Sequence, residues 1–163
     1  LRESKGHLYE GGIRVPMIVR WPGRVKPGAL SDEPVVSMDF YPTFLEVAGL
    51  EPTGQKPIDG ESLVSLFQQT GKPKRRELFF HFPNYAWHMD NRLGSAVRSG
   101  DHKLIRNYDD GSVELYNLKS DLGETKNLVK RHPNLANRLD RKLGRWLKET
   151  DAWMPRPPKP SEK

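Results

Sequence analysis

Apolar positions along this chain change their spacing twice. Near the start, Val15, Met17, Ile18 and Val19 make residues 15–21 apolar on both faces before Pro22-Gly23 stops the run. That pattern predicts a strand covered on both sides. Just ahead of it, Lys5-Gly6 and the pair Gly11-Gly12 mark a loop where the backbone turns sharply or approaches another segment closely. The spacing then becomes helical. Phe40, Phe44, Val47 and Ala48 recur on one stripe, Tyr41 and Leu45 widen it, Asp39 is the expected N-cap, and Gly49 is the expected stop. So wide a stripe predicts a largely buried helix. A short helix over residues 62–69 should turn Leu63, Leu66 and Phe67 inward.

After the basic run 71–76, Gly-Lys-Pro-Lys-Arg-Arg, the spacing shifts again. Residues 78–82, 95–98, 103–108 and 113–118 read as strands, with Ser99-Gly100-Asp101 and Asp109-Asp110-Gly111 as tight turns. This is a meander of four antiparallel strands. Pro133 then opens a helix over 133–149, with Leu135, Leu139, Leu143 and Trp146 on one side and Arg138, Arg141, Lys142, Arg145 and Lys148 outward. A helix on one face of a small antiparallel sheet is an α+β unit. The basic run is the best boundary, and its charges read first as exposed loop. The expected division is 1–71, 72–154 and a proline-rich tail 155–163, extended or disordered.

Composition narrows the chemistry in two respects. The formal charge of +6 over 163 residues favours anionic partners, without choosing among sulfated glycans, nucleic acid and anionic membranes. There is no cysteine, which excludes disulfides, thiolate zinc sites and a cysteine nucleophile within these residues. No run of 18 apolar residues exists to span a membrane. His81 and His88 show no metal-ligand spacing, so no metal site is expected here.

An ordered series of motifs carries more information than any of these. Lys5-Gly6-x-x-Tyr9-Glu10-Gly11-Gly12-x-Arg14-x-Pro16 is followed by Ser37-Met38-Asp39-Phe40-Tyr41-Pro42-Thr43, then Asp59-Gly60-x-Ser62-Leu63. Then come Ser95-Ala96-Val97-Arg98-x-Gly100-Asp101-x-Lys103-Leu104-Ile105 and Glu114-Leu115-Tyr116-Asn117-Leu118-x-x-Asp121-x-Gly123-Glu124. The series resembles the C-terminal part of the sulfatase family, the arylsulfatase A-like enzymes of the alkaline phosphatase superfamily. The resemblance covers nearly the whole chain. It implies the end of an α/β catalytic domain followed by the small α+β unit. It also implies hydrolysis of a sulfate ester, of a carbohydrate or aryl group. The family's formylglycine nucleophile, made within a Cys/Ser-x-Pro/Ala-x-Arg motif, does not occur in these residues, and its calcium ligands lie in the preceding part. This chain alone is therefore expected to be inactive. Its partners are the N-terminal sulfatase domain and the sulfated substrate; no nucleic-acid motif accompanies the charge. The resemblance suggests a secreted, periplasmic or lysosomal enzyme.

On residue type alone Lys5 is a solvated surface lysine. By resemblance it falls on the family's sulfate-contacting lysine, and a compact ammonium on a rigid glycine turn suits charge stabilisation around a sulfuryl group. Arg14 either contacts substrate or pairs with Glu10 and fixes the loop. His7 either faces the substrate or is an exposed loop residue. His81, Tyr85, Trp87 and His88 lie in a histidine- and aromatic-rich stretch after a strand, a composition suited to stacking on sugar rings and bonding hydroxyls; the alternative is ordinary packing. Arg98, Asp101 and Lys103 read as hairpin surface charges, and the Asp121 to Glu124 segment as a turn cap. Two other functions stay open: a non-catalytic module binding anions or sulfated glycans, and a phosphate or phosphonate monoester hydrolase of the same superfamily.

Overall fold

A computed structural model of the chain describes residues 1–54, 57–84 and 91–155. These residues form two compact units, one of the described residues within 1–15 and 76–155, the other of those within 16–75.

The first unit is built on an antiparallel sheet in the order β1 (Glu77–Phe82), β2 (Gly94–Ser99), β3 (His102–Asn107) and β4 (Val113–Asn117). This is the expected meander. Its register puts Phe79, Val97, Leu104 and Leu115 in one row across the sheet. The last three are buried against Ala136, Leu139, Leu143 and Leu147 of the long helix Pro133–Glu149, with Phe79 packed beside them. Each buried valine or leucine among these stabilises the fold by about 2 kcal/mol of apolar burial. Trp146 stacks on Phe79 with ring centroids 4.9 Å apart. Leu135 sits at the margin of that core, and Ala136 and Leu147 complete the stripe.

Because strand side chains alternate, Ala96, Ile105 and Tyr116 face the other way. Leu8, Tyr9 and Leu118 close over them, so the N-terminal segment covers the sheet's second face. Residues 1–15 thus belong with the sheet, whereas the sequence pattern grouped them with everything up to residue 71. The reason lies in β3. Its second-face positions include Lys103 and Asn107, both buried, and they need polar partners that the N-terminal segment and β4 supply.

The second unit carries a 3₁₀ turn (Ser37–Asp39) running into a helix (Phe40–Ala48) that ends at Gly49, and a short helix (Val64–Phe67). Two expectations are corrected here. Residues 15–21 form no strand, and Val15 and Ile18 are exposed, Ile18 at 94%. A strand needs a neighbouring strand to take its N–H and C=O groups, and among the described residues no strand pairs with this segment. The helix Phe40–Ala48 is likewise not buried: Phe40, Tyr41, Phe44 and Val47 are exposed, and its buried residue is Thr43.

What holds this unit is polar. The buried Asp39 carboxylate accepts hydrogen bonds from the Val36 and Glu61 N–H groups (2.9 and 3.0 Å) and pairs with both terminal nitrogens of Arg75. Thr43 Oγ1 donates to the Asp39 carbonyl (2.5 Å) and accepts from the Leu63 N–H (2.9 Å). Arg75 is therefore an internal partner, not an exposed linker charge. Glu61 accepts from the backbone N–H groups of Lys74 and Arg75 (2.6 and 2.7 Å), which fixes the end of the basic run.

Candidate functional site

The loop that carries Lys5 is a turn closed by the His7 N–H donating to the Ser4 carbonyl (3.2 Å). Gly6 holds φ at 99°, the left-handed region that glycine favours. The chain then enters a one-turn helix, α1 (Glu10–Ile13). Gly11 and Gly12 lie under the loop. A Cβ on Gly11 would come within 2.0 Å of the Glu3 carbonyl oxygen, and one on Gly12 within 2.1 Å of that of His7. The glycine pair thus lets the loop rest directly on the helix, and the Gly11 N–H donates to the Arg2 carbonyl (2.9 Å). Lys5 is exposed at the tip and has no hydrogen bond or ion pair among the described residues.

His7 is not an exposed loop residue. Its side chain is largely buried, Nδ1 lies 3.2 Å from the Ser4 carbonyl and Nε2 3.9 Å from the Glu3 carboxylate. It braces the turn that presents Lys5. Arg14 faces Glu10 at 3.6 Å, as the pairing alternative expects.

Two polar clusters fasten this loop to the sheet. In one, the Tyr9 hydroxyl lies 3.0 and 2.9 Å from the two Glu114 carboxylate oxygens, and the Tyr116 hydroxyl donates to the same carboxylate at 2.6 Å. Arg2 donates to the Tyr116 hydroxyl (2.9 Å) and lies over the Tyr9 ring, 3.8 Å from its centroid. Burial, then bonding to the Glu114 carboxylate, pushes both phenols well above the usual tyrosine range. Both therefore stay protonated donors at neutral pH.

In the other cluster, the Lys103 ammonium is fully buried, 3.0 Å from Glu10 Oε1 and 2.8 Å from Glu124 Oε1. The Glu10 N–H donates to Glu124 Oε2 at 2.6 Å. Lys103 and Glu124 are thus core residues, not a hairpin surface charge and a turn cap. Asp121 alone caps that turn, accepting from the Thr125 and Lys126 N–H groups. The alternation along β3 held the clue: Lys103 is in phase with Ile105, on a face that must be covered.

His81 has both ring nitrogens engaged. Nε2 donates to the Trp153 carbonyl (2.8 Å), which makes Nδ1 the acceptor in the neutral ring, within reach of the Ser95 hydroxyl (2.7 Å) and the Tyr108 hydroxyl (3.2 Å). In this arrangement it ties the segment after the long helix to the sheet. Tyr85, Trp87 and His88 lie outside the described residues, as does the tail from residue 156. Among the described residues no group of three or more His, Cys, Asp or Glu side chains is arranged to hold a metal ion. With no cysteine and no Ser-x-Pro/Ala-x-Arg sequence, these residues do not fit a formylglycine centre.

The geometry is that of an exposed lysine on a braced loop, and the chain around it is similar to known proteins. A family model described as N-sulphoglucosamine sulphohydrolase, C-terminal, matches residues 4–151. A sulfatase of Formosa agariphila is 40% identical over 169 residues, 93% of this chain and 30% of its own length. Human arylsulfatase A is 41% identical over 104 residues, 63% of this chain and 19% of its own length. A solved structure bound to its substrate, D-glucosamine-2-N,6-O-disulfate, superposes with a TM-score of 0.70 at 29% identity, covering 83% of this chain and 28% of that one. The chain spans less than a third of the length of each of these relatives.

Proposed function

This chain belongs to the sulfatase family, as its C-terminal portion, and we propose that it supplies one side of the active site of a sulfuric ester hydrolase, with Lys5 meeting the sulfate. The observation that supports this is the presentation of Lys5. Its ammonium stands exposed on a turn braced by His7 and seated on Gly11 and Gly12. A cation held in this way needs little reorganisation when charge grows on the sulfuryl oxygens and on the leaving oxygen. Lys5 donates to the non-bridging oxygens and orients the ester. When bound, the family's calcium and formylglycine supply the electrophilic and nucleophilic chemistry; both belong to residues outside this chain.

The substrate class is a sulfated carbohydrate or an aryl sulfate. Residues 85–88, Tyr-Ala-Trp-His, have the composition to stack on a sugar ring and bond its hydroxyls, and we assign Tyr85, Trp87 and His88 to substrate recognition on that ground. His81 takes a structural role instead, because both its ring nitrogens are engaged within the fold, and Arg14 is placed beside the loop by its ion pair with Glu10. The exposed apolar side chains of residues 15–18 and of the helix Phe40–Ala48 suit burial against the rest of the enzyme.

A second reading, binding of anionic polymers without turnover, draws on the charge distribution. Between Lys126 and Lys148 stand eight basic residues and one acidic residue, Asp140. The deciding experiment uses the full-length enzyme that carries this chain, assayed for sulfate release from an aryl sulfate and for phosphate release from the matching aryl phosphate. Hydrolysis of the sulfate, lowered about 100- to 1,000-fold by Lys5→Ala, is the expected result. Preference for the phosphate would favour the phosphate or phosphonate hydrolase reading. Polyanion binding with no hydrolysis of either ester would favour the binding module.

A further inference from the structure

We propose that the ion chain Arg14–Glu10–Lys103–Glu124 is a positioning device that sets where Lys5 stands, an inference that rests on the reading of Lys5 as the sulfate contact. The four residues alternate in formal charge and sum to zero. They run from Arg14, half-exposed, inward to Glu10, Lys103 and Glu124, whose side chains are buried. Each link is short: 3.6 Å from Arg14 to Glu10, 3.0 Å from Glu10 to Lys103, 2.8 Å from Lys103 to Glu124.

Cohesion alone does not require this arrangement. Buried ion pairs hold a fold together no better than apolar side chains of the same size; what they add is direction. An apolar contact lets one surface slide on another, whereas a lysine between two carboxylates accepts few placements. Here the placement belongs to α1. Its first residue is held twice, by side chain to Lys103 and by its own N–H to Glu124 Oε2 at 2.6 Å. Glu10 Oε2 and Glu124 Oε1 are buried without an aligned hydrogen bond, so the opposing charges of Arg14 and Lys103 are what compensate them.

Movement of α1 passes straight to Lys5. The two residues after Glu10 are the glycines on which the carbonyls of Arg2, Glu3, Ser4 and His7 rest, with no side chain between to absorb a shift. Glu10, Lys103 and Glu124 are thus positioning residues: none stands at the loop tip with Lys5, and each acts through the seat of the loop.

The test is a double-mutant cycle in the full-length enzyme, combined with amide hydrogen exchange. Glu124→Gln keeps an acceptor for the Glu10 N–H and removes the innermost charge. Misplacing Lys5 in this way should lower kcat for an aryl sulfate about 10- to 100-fold. The decisive arm is Lys5→Ala combined with Glu124→Gln, which should be no slower than Lys5→Ala alone, because the ion chain acts through a side chain no longer there. Exchange should rise in residues 5–12 and stay unchanged in β2 and in the helix Pro133–Glu149. Rates that multiply in the double variant, or exchange that rises equally everywhere, would overturn the proposal in favour of general stability. Should Glu124→Gln fail to fold, Lys103→Met with Glu124→Gln removes one opposed pair and carries the same predictions. If Lys5→Ala alone leaves turnover intact, the sulfate role of Lys5 fails. The exchange pattern still decides whether the ion chain fixes the loop.

Discussion

Asp39 shows how a single residue can carry a whole unit. Burial alone would raise its carboxyl, but hydrogen bonds from Arg75 and from the Val36 and Glu61 N–H groups outweigh burial and hold it below the usual aspartate range. A depressed folded value means that its contribution is full above about pH 4 and is lost as pH falls through the folded value. Chemical unfolding of wild type against Asp39→Asn should therefore show a gap that is widest at neutral pH and closes in acid; a gap independent of pH would contradict this. Arg75→Met, which strands the buried carboxylate, should cost about 3–5 kcal/mol in the same measurement. Gly11→Ala acts on another principle. Its Cβ would meet the Glu3 carbonyl at 2.0 Å, so the loop must lift. Amide exchange should accelerate in residues 2–7 while the strands keep their protection.

At the scale of elements, the sheet and the long helix were open to reading and the rest less so. Period-two runs with Gly-Asp and Asp-Asp-Gly turns are local signals, and all four strands stand within a residue or so of where those signals put them. The helix Pro133–Glu149 has its own start signal in Pro133 and its own stripe. Leu143→Ala, at the centre of that stripe and fully buried, should cost about 2–5 kcal/mol in thermal or chemical unfolding. Lys103 reads from sequence as a surface charge because turn residues beside it suggest a surface hairpin, and the pairing that buries it joins residues far apart in sequence, Glu10 and Glu124. The stripe of the helix Phe40–Ala48 and the apolar run 15–21 predict burial from their apolar chemistry, but Phe40, Tyr41, Phe44, Val47, Val15 and Ile18 are exposed among the described residues. The role of His7 was illegible for a simpler reason: whether a loop histidine faces in or out depends on the turn, not on its neighbours in sequence.

On the scale of the molecule, the N-terminal segment belongs to the sheet although the basic run lies between them in sequence. Trypsin offers a direct check. Arg20 and Arg24 are exposed in a stretch without helix or strand and should be cut early. The peptide that holds Lys5 should nevertheless stay with the sheet, held by Tyr9, Glu10 and Arg2, and elute with it under native conditions. Its release would show that these buried pairs do not hold. The reading of Lys5 as the sulfate contact came from the motif around it; the structure adds the braces and the seat. That claim is tested most directly by the inhibition constant of inorganic sulfate, measured on the full-length enzyme in wild-type and Lys5→Ala forms. Direct contact predicts an inhibition constant raised about tenfold or more by Lys5→Ala and unchanged by Lys72→Ala, a control on general charge. An unchanged constant in Lys5→Ala would contradict the account.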